Sequence, residues 1–544
     1  MSRPDLLLLL LLSPALCLPV LAQAPAPSFP SEVLFPPYTS SSSADELANR
    51  GLAVGDSFVG ATAPQRASEG VALVWPRVGA TIGAPELITS PGVTTSNRFG
   101  QALDFSGDAL AVSELRSGLF GNLGAVHLYE RGAGQWQRTQ SLADPGGVFI
   151  LSFGDSVGLD GDTLVVGSPS AFVQGQTRGA VHVFRRTGSA FALEATLTAS
   201  NGALGDRFGD DVAVSGDRLV ASAPGHGATG AAYVFERSGG TWGEVLALGV
   251  PAGSSDDGFG ADVDLDGDTA VVGAQTGNEV GAAYVFVHGA PGWTLQQRIQ
   301  PDGLTTFARF GSSVDLAGDQ LVVGAPGDGA TGFGLGSSWA FGRAGGVWSA
   351  RARLAQSPGA PAGLFGTSVA TDGAGTVFTA APRNVTPSAG NYGALFVHTP
   401  EPEIGDAYCA ANANSSGQVG GAAARGSRIA SANDVTLVAF DLPAQQFGFF
   451  LASRTEGFVA NLGGSEGNLC LGGALGRLVG PGQIQSSGTV RQISIELDLS
   501  AIPQPSSLES AMAGETWRFQ AWHRDTVGGM ATSNFTAGVA VSFL

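Results

Sequence analysis

The chain has 544 residues and a formal charge of −19, because it contains 46 acidic and 27 basic residues. Only 13% of the residues are charged while 43% are apolar, which excludes a typical intrinsically disordered chain. An acidic chain repels polyanions at long range, so nucleic acid is not expected as a partner. The 82 glycines, together with Val, Leu, Phe and Ala, predict an all-β protein of short strands and tight turns.

Residues 1–22 are predicted to be a secretory signal peptide. Arg3 gives a short positive start, residues 6–12 are all leucine, and a small-residue cleavage pattern ends at Ala22. Leu16 precedes Cys17 where a lipoprotein signal needs a small residue, so no lipid anchor is expected. No other apolar stretch approaches the roughly 20 residues of a membrane span. We therefore expect a secreted protein, extracellular or at the cell surface, without a membrane span.

A repeat of 51 to 55 residues fills the chain from about residue 47 to residue 398. A Phe-Gly pair recurs six times, and eight residues after each Phe of the first five pairs a Gly-Asp turn begins. The phenylalanines are Phe99, Phe153, Phe208, Phe259, Phe310 and Phe365, and the turn glycines are Gly107, Gly161, Gly216, Gly267 and Gly318. The last pair is followed by the variant turn Asp372-Gly373. An earlier turn, Gly55-Asp56, marks a first copy in which residues 47–48 replace Phe-Gly, which makes seven copies.

Each copy is predicted to form four short strands. The Gly-Asp turn suits a tight hairpin, and an apolar run and a variable Gly-rich loop follow it. A glycine then opens a third strand, at Gly70, Gly124, Gly179, Gly230, Gly281, Gly336 and Gly393, and the polar fourth strand carries a Trp in several copies. Seven such sheets arranged radially bury their faces against one another, so we predict a seven-bladed β-propeller. Copy seven lacks a fourth strand, and we predict that the segment near Glu32 to Phe35, within residues 23–46, supplies it.

These copies resemble the FG-GAP repeats of integrin α-subunit propellers. They are closer still to the bacterial secreted form that reads FG-x-S-V-x-x-x-G-D-x-L-V-V-G-A-P and later G-A-x-Y-V-F. The resemblance spans about residues 47–398 and implies a seven-bladed propeller. Because integrin-type repeats carry calcium-binding loops of the form D-x-D-x-D-G-x-x-D, the resemblance also implies such loops here.

Periodicity changes after a proline linker at residues 399–405, and residues 406–544 are predicted to form a second, β-sandwich-like domain. Residues 435–440, 493–499 and 517–522 read as its strands, with clean alternation of apolar and polar residues in the second. The region resembles a C-terminal module of large secreted bacterial proteins in segments 414–417, 468–473 and 519–525. That resemblance implies export or surface attachment rather than a defined activity.

Two cysteines, Cys409 and Cys470, remain after removal of the signal peptide. In an oxidising compartment a disulfide between them is the default expectation, and two buried free thiols are the alternative.

The candidate metal site lies in the fifth copy, where Asp264, Asp266 and Asp268 stand at alternate positions. Hard cations such as calcium prefer several carboxylate oxygens around a turn made sharp by glycine. However, Thr269 stands where the integrin-type loop has Gly, and Val272 stands where it has the last carboxylate. The alternative is a tight turn without metal, which the short hairpin favours, and no other cofactor is expected.

No catalytic residues are predicted. Two G-x-S-x-G segments, at residues 154–158 and 463–467, lack the strand-to-helix context of a nucleophile elbow. His127 and His182 occupy a slot filled by aromatic residues in other copies, whereas His226 is a histidine of a Gly-rich loop. Segments 384–386 and 534–536 match glycosylation acceptors.

The sequence thus predicts a monomeric, non-enzymatic extracellular binding or adhesion protein. Its propeller loops would contact another extracellular protein or a surface polysaccharide. A lectin-like propeller is the first alternative, and a secreted hydrolase is the second.

Overall fold

The computed structural model describes residues 31–34, 51–64, 70–78, 81–92, 97–118, 121–132, 134–145, 152–251, 256–276, 280–329, 335–355, 363–382, 385–386, 390–391, 393–399, 403–488 and 491–544. Strands dominate these ranges, and the only helical elements in them are two 3-10 turns, Ala430–Ala432 and Leu462–Gly464. Among these residues no helix has the length and apolar character needed to cross a membrane. The predicted all-β class is confirmed.

Seven antiparallel sheets, the first of five strands and the other six of four, follow one another around the ring, and we call them blades 1 to 7. The first strand near the N-terminus, which belongs to blade 7, is β1 (Ser31–Leu34). Blade 1 contains β2 (Leu52–Val54), β3 (Phe58–Ala63), β4 (Val71–Val78) and β6 (Glu86–Thr89), with the short β5 (Thr81–Ile82) paired to the end of β4. Blade 2 contains β7 (Asn97–Ser106), β8 (Ala109–Gly118), β9 (Gly121–Gly132) and β10 (Gln135–Ala143). Blade 3 contains β11 (Val157–Asp160), β12 (Thr163–Ser168), the hairpin β13 (Phe172–Val173) and β14 (Gln176–Thr177), then β15 (Ala180–Thr187) and β16 (Ala190–Leu197).

The next three blades repeat this order without interruption. Blade 4 contains β17 (Val212–Ser215), β18 (Arg218–Ala223), β19 (Ala231–Ser238) and β20 (Thr241–Leu248). Blade 5 contains β21 (Phe259–Asp266), β22 (Thr269–Ala274), β23 (Ala282–Gly289) and β24 (Gly292–Ile299). Blade 6 contains β25 (Ser313–Ala317), β26 (Gln320–Ala325), β27 (Ser337–Ala344) and β28 (Val347–Leu354).

Blade 7 joins the two ends of the ring. It contains β29 (Val369–Thr371), β30 (Val377–Ala381) and β33 (Ala394–His398), with the hairpin β31 (Val385–Thr386) and β32 (Gly390–Asn391) between them. Its fourth strand is β1, which pairs antiparallel with β33 so that Ser31 lies opposite His398. Blade 7 also packs on blade 1, because Val59 and Leu73 share one hydrophobic cluster with Phe378 and Leu395.

The Phe-Gly pair connects consecutive blades. All six phenylalanines of these pairs are essentially fully buried. In five of the six pairs, an isolated β-bridge joins the backbone of Phe to the backbone of the glycine that opens the third strand of the preceding blade, as between Phe259 and Gly230. Gly230 adopts a φ of +88°, and a Cβ there would lie 2.0 Å from the carbonyl oxygen of Phe259. Only glycine fits such a close backbone approach, which explains why the strand-opening glycine recurs in the blade before each Phe-Gly pair.

The two faces of the ring differ. Because each blade is an antiparallel meander, the hairpins between strands one and two and between strands three and four lie on one side, which we call the turn face. The connections between strands two and three, and those from one blade to the next, lie on the other side, which we call the loop face. The Gly-Asp turns lie on the turn face, and each of their five glycines has a φ between +54° and +59°.

The C-terminal module consists of two larger sheets and two hairpins. The first sheet contains β34 (Glu403–Ile404), β36 (Gly421–Gly426), β37 (Val435–Phe440) and β43 (Ile493–Glu496). The second contains β35 (Asp406–Tyr408), β38 (Phe447–Ser453), β41 (Gly476–Leu478), β42 (Gln485–Ser486), β46 (Thr516–Val527) and β47 (Met530–Ser542). The hairpins are β39 (Thr455–Ala460) with β40 (Asn468–Gly472), and β44 (Ile502–Pro503) with β45 (Leu508–Glu509).

One hydrophobic cluster fills the space between the two sheets of the module. It includes Leu437 and Ile493 from the first sheet, and Phe450, Trp517 and Val539 from the second. The module begins slightly earlier than the sequence suggested, since β34 pairs with β36 inside the segment that was predicted to be linker. The disulfide between Cys409 and Cys470 is present, with the two Cα atoms 6.2 Å apart.

A polar contact joins the module to the propeller. Arg351 on the outer strand of blade 6 lies 3.4 Å from the carboxylate of Asp441, and its guanidinium stacks over the ring of Phe440 at 5.0 Å.

Candidate functional site

The first strands of the seven blades surround a central channel of about 540 Å³. Seven aspartates line the channel: Asp155 and Asp210, and the five partly exposed residues Asp104, Asp211, Asp262, Asp264 and Asp315, which also contact the next blade. These five lie on or next to first strands, where alternate residues point inward.

Each of these five carboxylates also holds the neighbouring blade. Asp104 accepts a hydrogen bond at 2.7 Å from the backbone N–H of Leu159, and Asp264 accepts one at 2.6 Å from that of Leu316. The remaining three make the same contact with the next blade, through the amides of Val263, Val314 and Thr371. The aspartates thus act as latches between blades, because each carboxyl oxygen satisfies a backbone N–H of the next blade.

Burial of these carboxylates raises their pKa, and the neighbouring aspartates raise it further. The pKa of Asp104 and of Asp264 rises to about 7. Burial likewise raises the pKa of Asp211, and that of Asp262 and Asp315 well above the ordinary range. The negative charge of Asp211 raises the pKa of Asp262 further.

The three aspartates of the candidate calcium site do not converge. Asp264 lies on the channel wall, whereas Asp266 accepts a hydrogen bond from the backbone N–H of Gly318 at 2.6 Å. Asp268 lies on the turn face and pairs with the guanidinium of Arg218 at 2.6 Å. Each of the three carboxylates therefore accepts from a protein donor. Within the described ranges, no group of three or more His, Cys, Asp or Glu side chains is arranged to hold a metal.

The two G-x-S-x-G serines have structural contacts. Ser156 donates to the carbonyl oxygen of Gly209 in the next blade at 3.2 Å, and Ser465 donates to that of Gly467 at 3.3 Å. The glycosylation acceptor at Asn534 is inaccessible, because both Asn534 and Thr536 are fully buried. The other acceptor, at Asn384, lies outside the described residues.

The tryptophans of the fourth strands do not form a sugar-stacking surface. Trp136, Trp242, Trp293 and Trp348 are all buried between blades. Arginines cover several of them, as where the guanidinium of Arg343 lies 5.0 Å from the ring of Trp348.

The loop face presents exposed apolar side chains that sequence reasoning missed. Phe172 is 59% exposed, Leu204 is 66% exposed and Phe307 is 69% exposed. All three belong to connections on the loop face, in blade 3, between blades 3 and 4, and between blades 5 and 6. Beside the channel mouth, Arg309 donates to the side-chain oxygen of Gln275 at 2.7 Å. Long apolar residues inside Gly-rich connections are the sequence signal that marks such positions.

His226, the loop histidine noted in the sequence, also lies on the loop face. Its Nδ1 lies 2.7 Å from a carboxylate oxygen of the buried Asp206, and its Nε2 lies 3.4 Å from the amide nitrogen of Asn201. Tyr233 donates to Asn201 at 2.7 Å from beneath. This network anchors two loops next to Leu204 and thus fixes the shape of that part of the face.

Comparison with known proteins identifies the repeat. The FG-GAP repeat family profile matches residues 136–184, 191–235, 242–286 and 293–341. No curated protein matches the sequence at a significant level.

Several solved structures match parts of this structure at low sequence identity. One is a chain of the mitotic checkpoint complex, with 12% identity, 73% of this chain and 99% of that chain covered, and a TM-score of 0.43. Another is one of two prolyl endopeptidases, with 15% identity, 74% and 54% covered, and a TM-score of 0.40. A third is TolB from Acinetobacter baumannii, with 10% identity, 54% and 62% covered, and a TM-score of 0.32. The matched residues therefore carry FG-GAP repeats, and the seven radial sheets that include them form a β-propeller.

Proposed function

We propose that the protein is an extracellular binding or adhesion protein whose loop face contacts its partner. An FG-GAP propeller suggests a protein-interaction platform. The observation that carries the proposal is the asymmetry of the ring. The large side chains of Phe172, Leu204 and Phe307 are exposed on the loop face, whereas the turn face carries the tight Gly-Asp hairpins and the smaller exposed side chains of Val78 and Val347.

Exposed aromatic and aliphatic side chains on a rigid frame are typical anchors of protein interfaces, because the anchors lose little conformational entropy on binding. The blade-to-blade latches supply the frame. The partner is an extracellular protein or a surface polysaccharide, and the disulfide of the C-terminal module fits an oxidising compartment.

The test is capture of partners from the native cell surface by the immobilised full chain. The loop-face variant carries Phe172→Ser, Leu204→Ser and Phe307→Ser. Its matched control carries Leu193→Ser, Val245→Ser and Leu295→Ser, since these residues are 45%, 48% and 40% exposed on the outer strands. We expect the loop-face variant to lose the captured partner and the control to retain it. Loss in the control with retention in the loop-face variant contradicts the proposal.

A further inference from the structure

Blade 2 contains a chain of three hydrogen-bonded side chains that the binding function does not use. Nδ1 of His127 lies 2.8 Å from Oγ of Ser141, and Nε2 of His127 lies 2.7 Å from a carboxylate oxygen of Glu114. Ser90 donates to the second carboxylate oxygen of Glu114 at 3.0 Å, which fixes its orientation. Strands β8, β9 and β10 therefore place a carboxylate, an imidazole and a hydroxyl next to one another, in that order.

Burial and the chemistry of the carboxylate determine which atom donates in each of these hydrogen bonds. Glu114 is fully buried and His127 is 1% exposed, whereas Ser141 is exposed on β10. A carboxylate only accepts, so Nε2–H of His127 donates to Glu114 and Nδ1 is left to accept the hydroxyl proton of Ser141. This is the arrangement in which a histidine acts as general base toward a serine.

We propose that Ser141 is a nucleophile, activated by His127 and Glu114, that reacts with carboxylic esters. This activity goes beyond the proposed binding function and does not depend on it. The serine lies on the edge strand of blade 2, near its loop-face end, where a substrate can approach from solvent. Alternate backbone amides of an edge strand face away from the sheet and are available to an oxyanion.

The reaction is an acyl transfer. Oγ of Ser141 bonds to the carbonyl carbon while its proton moves to Nδ1 of His127. The bond from that carbon to the alkoxide leaving group then breaks, and His127 returns the proton to the alkoxide. Water attacks the acylated serine in the second half, its proton passes through His127, and the carboxylic acid and free Ser141 result.

Blade 3 provides an internal comparison. Its His182 occupies the place of His127, and Nδ1 of His182 lies 3.1 Å from the hydroxyl of Thr196. Ser168 stands where Glu114 stands in blade 2, and Nε2 of His182 finds no hydrogen-bond partner among the described residues. Burial lowers the pKa of His182 to about 4, so it is a weak base. The same strand geometry without the acid should leave the hydroxyl unreactive.

The test is covalent labelling of the purified full chain with a fluorophosphonate, with the modified residue located by peptide mass spectrometry. Labelling joins Oγ to phosphorus and releases fluoride. We expect Ser141 to react about 100-fold faster than Ser189, which lies in an exposed turn, because a positioned general base contributes about 10²- to 10⁴-fold. Ser141→Ala should remove this label, and Glu114→Gln should slow it at least about ten-fold.

Thr196→Ser is the matched control, because it places a serine beside a histidine that lacks the acid. We expect this variant to label at Ser141 and not at residue 196. Since Glu114→Gln changes a buried group, circular dichroism and the melting temperature are compared first, and the Thr196→Ser result stands independently of it. Equal rates at Ser141 and Ser189, or equal rates at Ser141 and the new serine, overturn the proposal.

Discussion

The propeller and the C-terminal module are both all-β, but different contacts hold them together. In the propeller, hydrophobic clusters lie between adjacent blades, and the carboxylate latches cross the same interfaces. In the module, one central cluster lies between two sheets and a disulfide closes a loop. Neither kind of core crosses the boundary between the two domains. The difference teaches that the ring depends on each neighbour contact, whereas the module depends on one core and one covalent link.

The largest expected effect is the loss of the disulfide. Replacing Cys409 and Cys470 by Ser should lower the free energy of unfolding of the module by about 4 kcal/mol, because the bond closes a loop of 61 residues. The temperature at which the propeller unfolds should not change. Calorimetry of the full chain checks this, and a shift of both transitions together contradicts the division into two stability units.

The next effect concerns ring closure. Arg77 at the end of β4 in blade 1 pairs with Asp372 of blade 7 at 2.7 Å, and both side chains are almost fully buried. Arg77→Met leaves the buried carboxylate unpaired and should cost the propeller about 3 kcal/mol. Arg454→Met is the control, since Arg454 is 43% exposed beside Glu509, and it should cost less than about 1 kcal/mol. Urea unfolding measures both, and similar losses for the two variants would contradict this account of closure.

A smaller effect is expected at the glycines between blades. Gly230→Ala forces a side chain onto the carbonyl of Phe259, so the propeller should lose about 2 kcal/mol. Gly216→Ala is matched, because Gly216 has a φ of +59° but open space around it, and it should cost about 1 kcal/mol. Thermal unfolding of both variants separates the cost of backbone strain from the cost of the steric collision. Equal shifts of the melting temperature would show that the collision contributes nothing.

The smallest effect is a dependence of the propeller on pH. The pKa of Asp104 and of Asp264 is about 7 in the folded ring and near 3.8 in the unfolded chain. The folded state binds more protons between these values, so these residues favour folding at low pH and lose that contribution as pH rises through 7. Asp104→Asn and Asp264→Asn should flatten the fall of the melting temperature between pH 5 and about pH 8. Asp217→Asn, on the exposed turn face, should leave the slope unchanged.

Much of the fold was predictable because the repeat is local. The Phe-Gly pair, the Gly-Asp turn and the strand-opening glycine recur at fixed offsets, so the strands and the propeller followed from spacing alone. The latches were not predictable, because Asp264 meets an amide of the next repeat, and only the assembled ring sets that distance. The contact that Asp264 makes with the next blade could therefore not be read from the spacing of the three aspartates.

The position of Ser141 illustrates a second limit of sequence reasoning. A β-bulge between Arg138 and Gln140 shifts the register of β10 by one residue. This shift places Ser141 opposite His127, where an unbroken ladder would place Gln140. Local sequence does not mark the bulge, so the three side chains could not be assigned to one site in advance.

The strand β1 has a consequence for the order in which the protein is made. It enters the sequence before every other blade strand, yet it pairs with β33, which is synthesised after all the others. Blade 7 therefore cannot be completed until residue 398 has emerged from a ribosome or a membrane pore. Until then the early strand must wait unpaired, so the ring closes only after all of its blades have been made, and the C-terminal module is synthesised last.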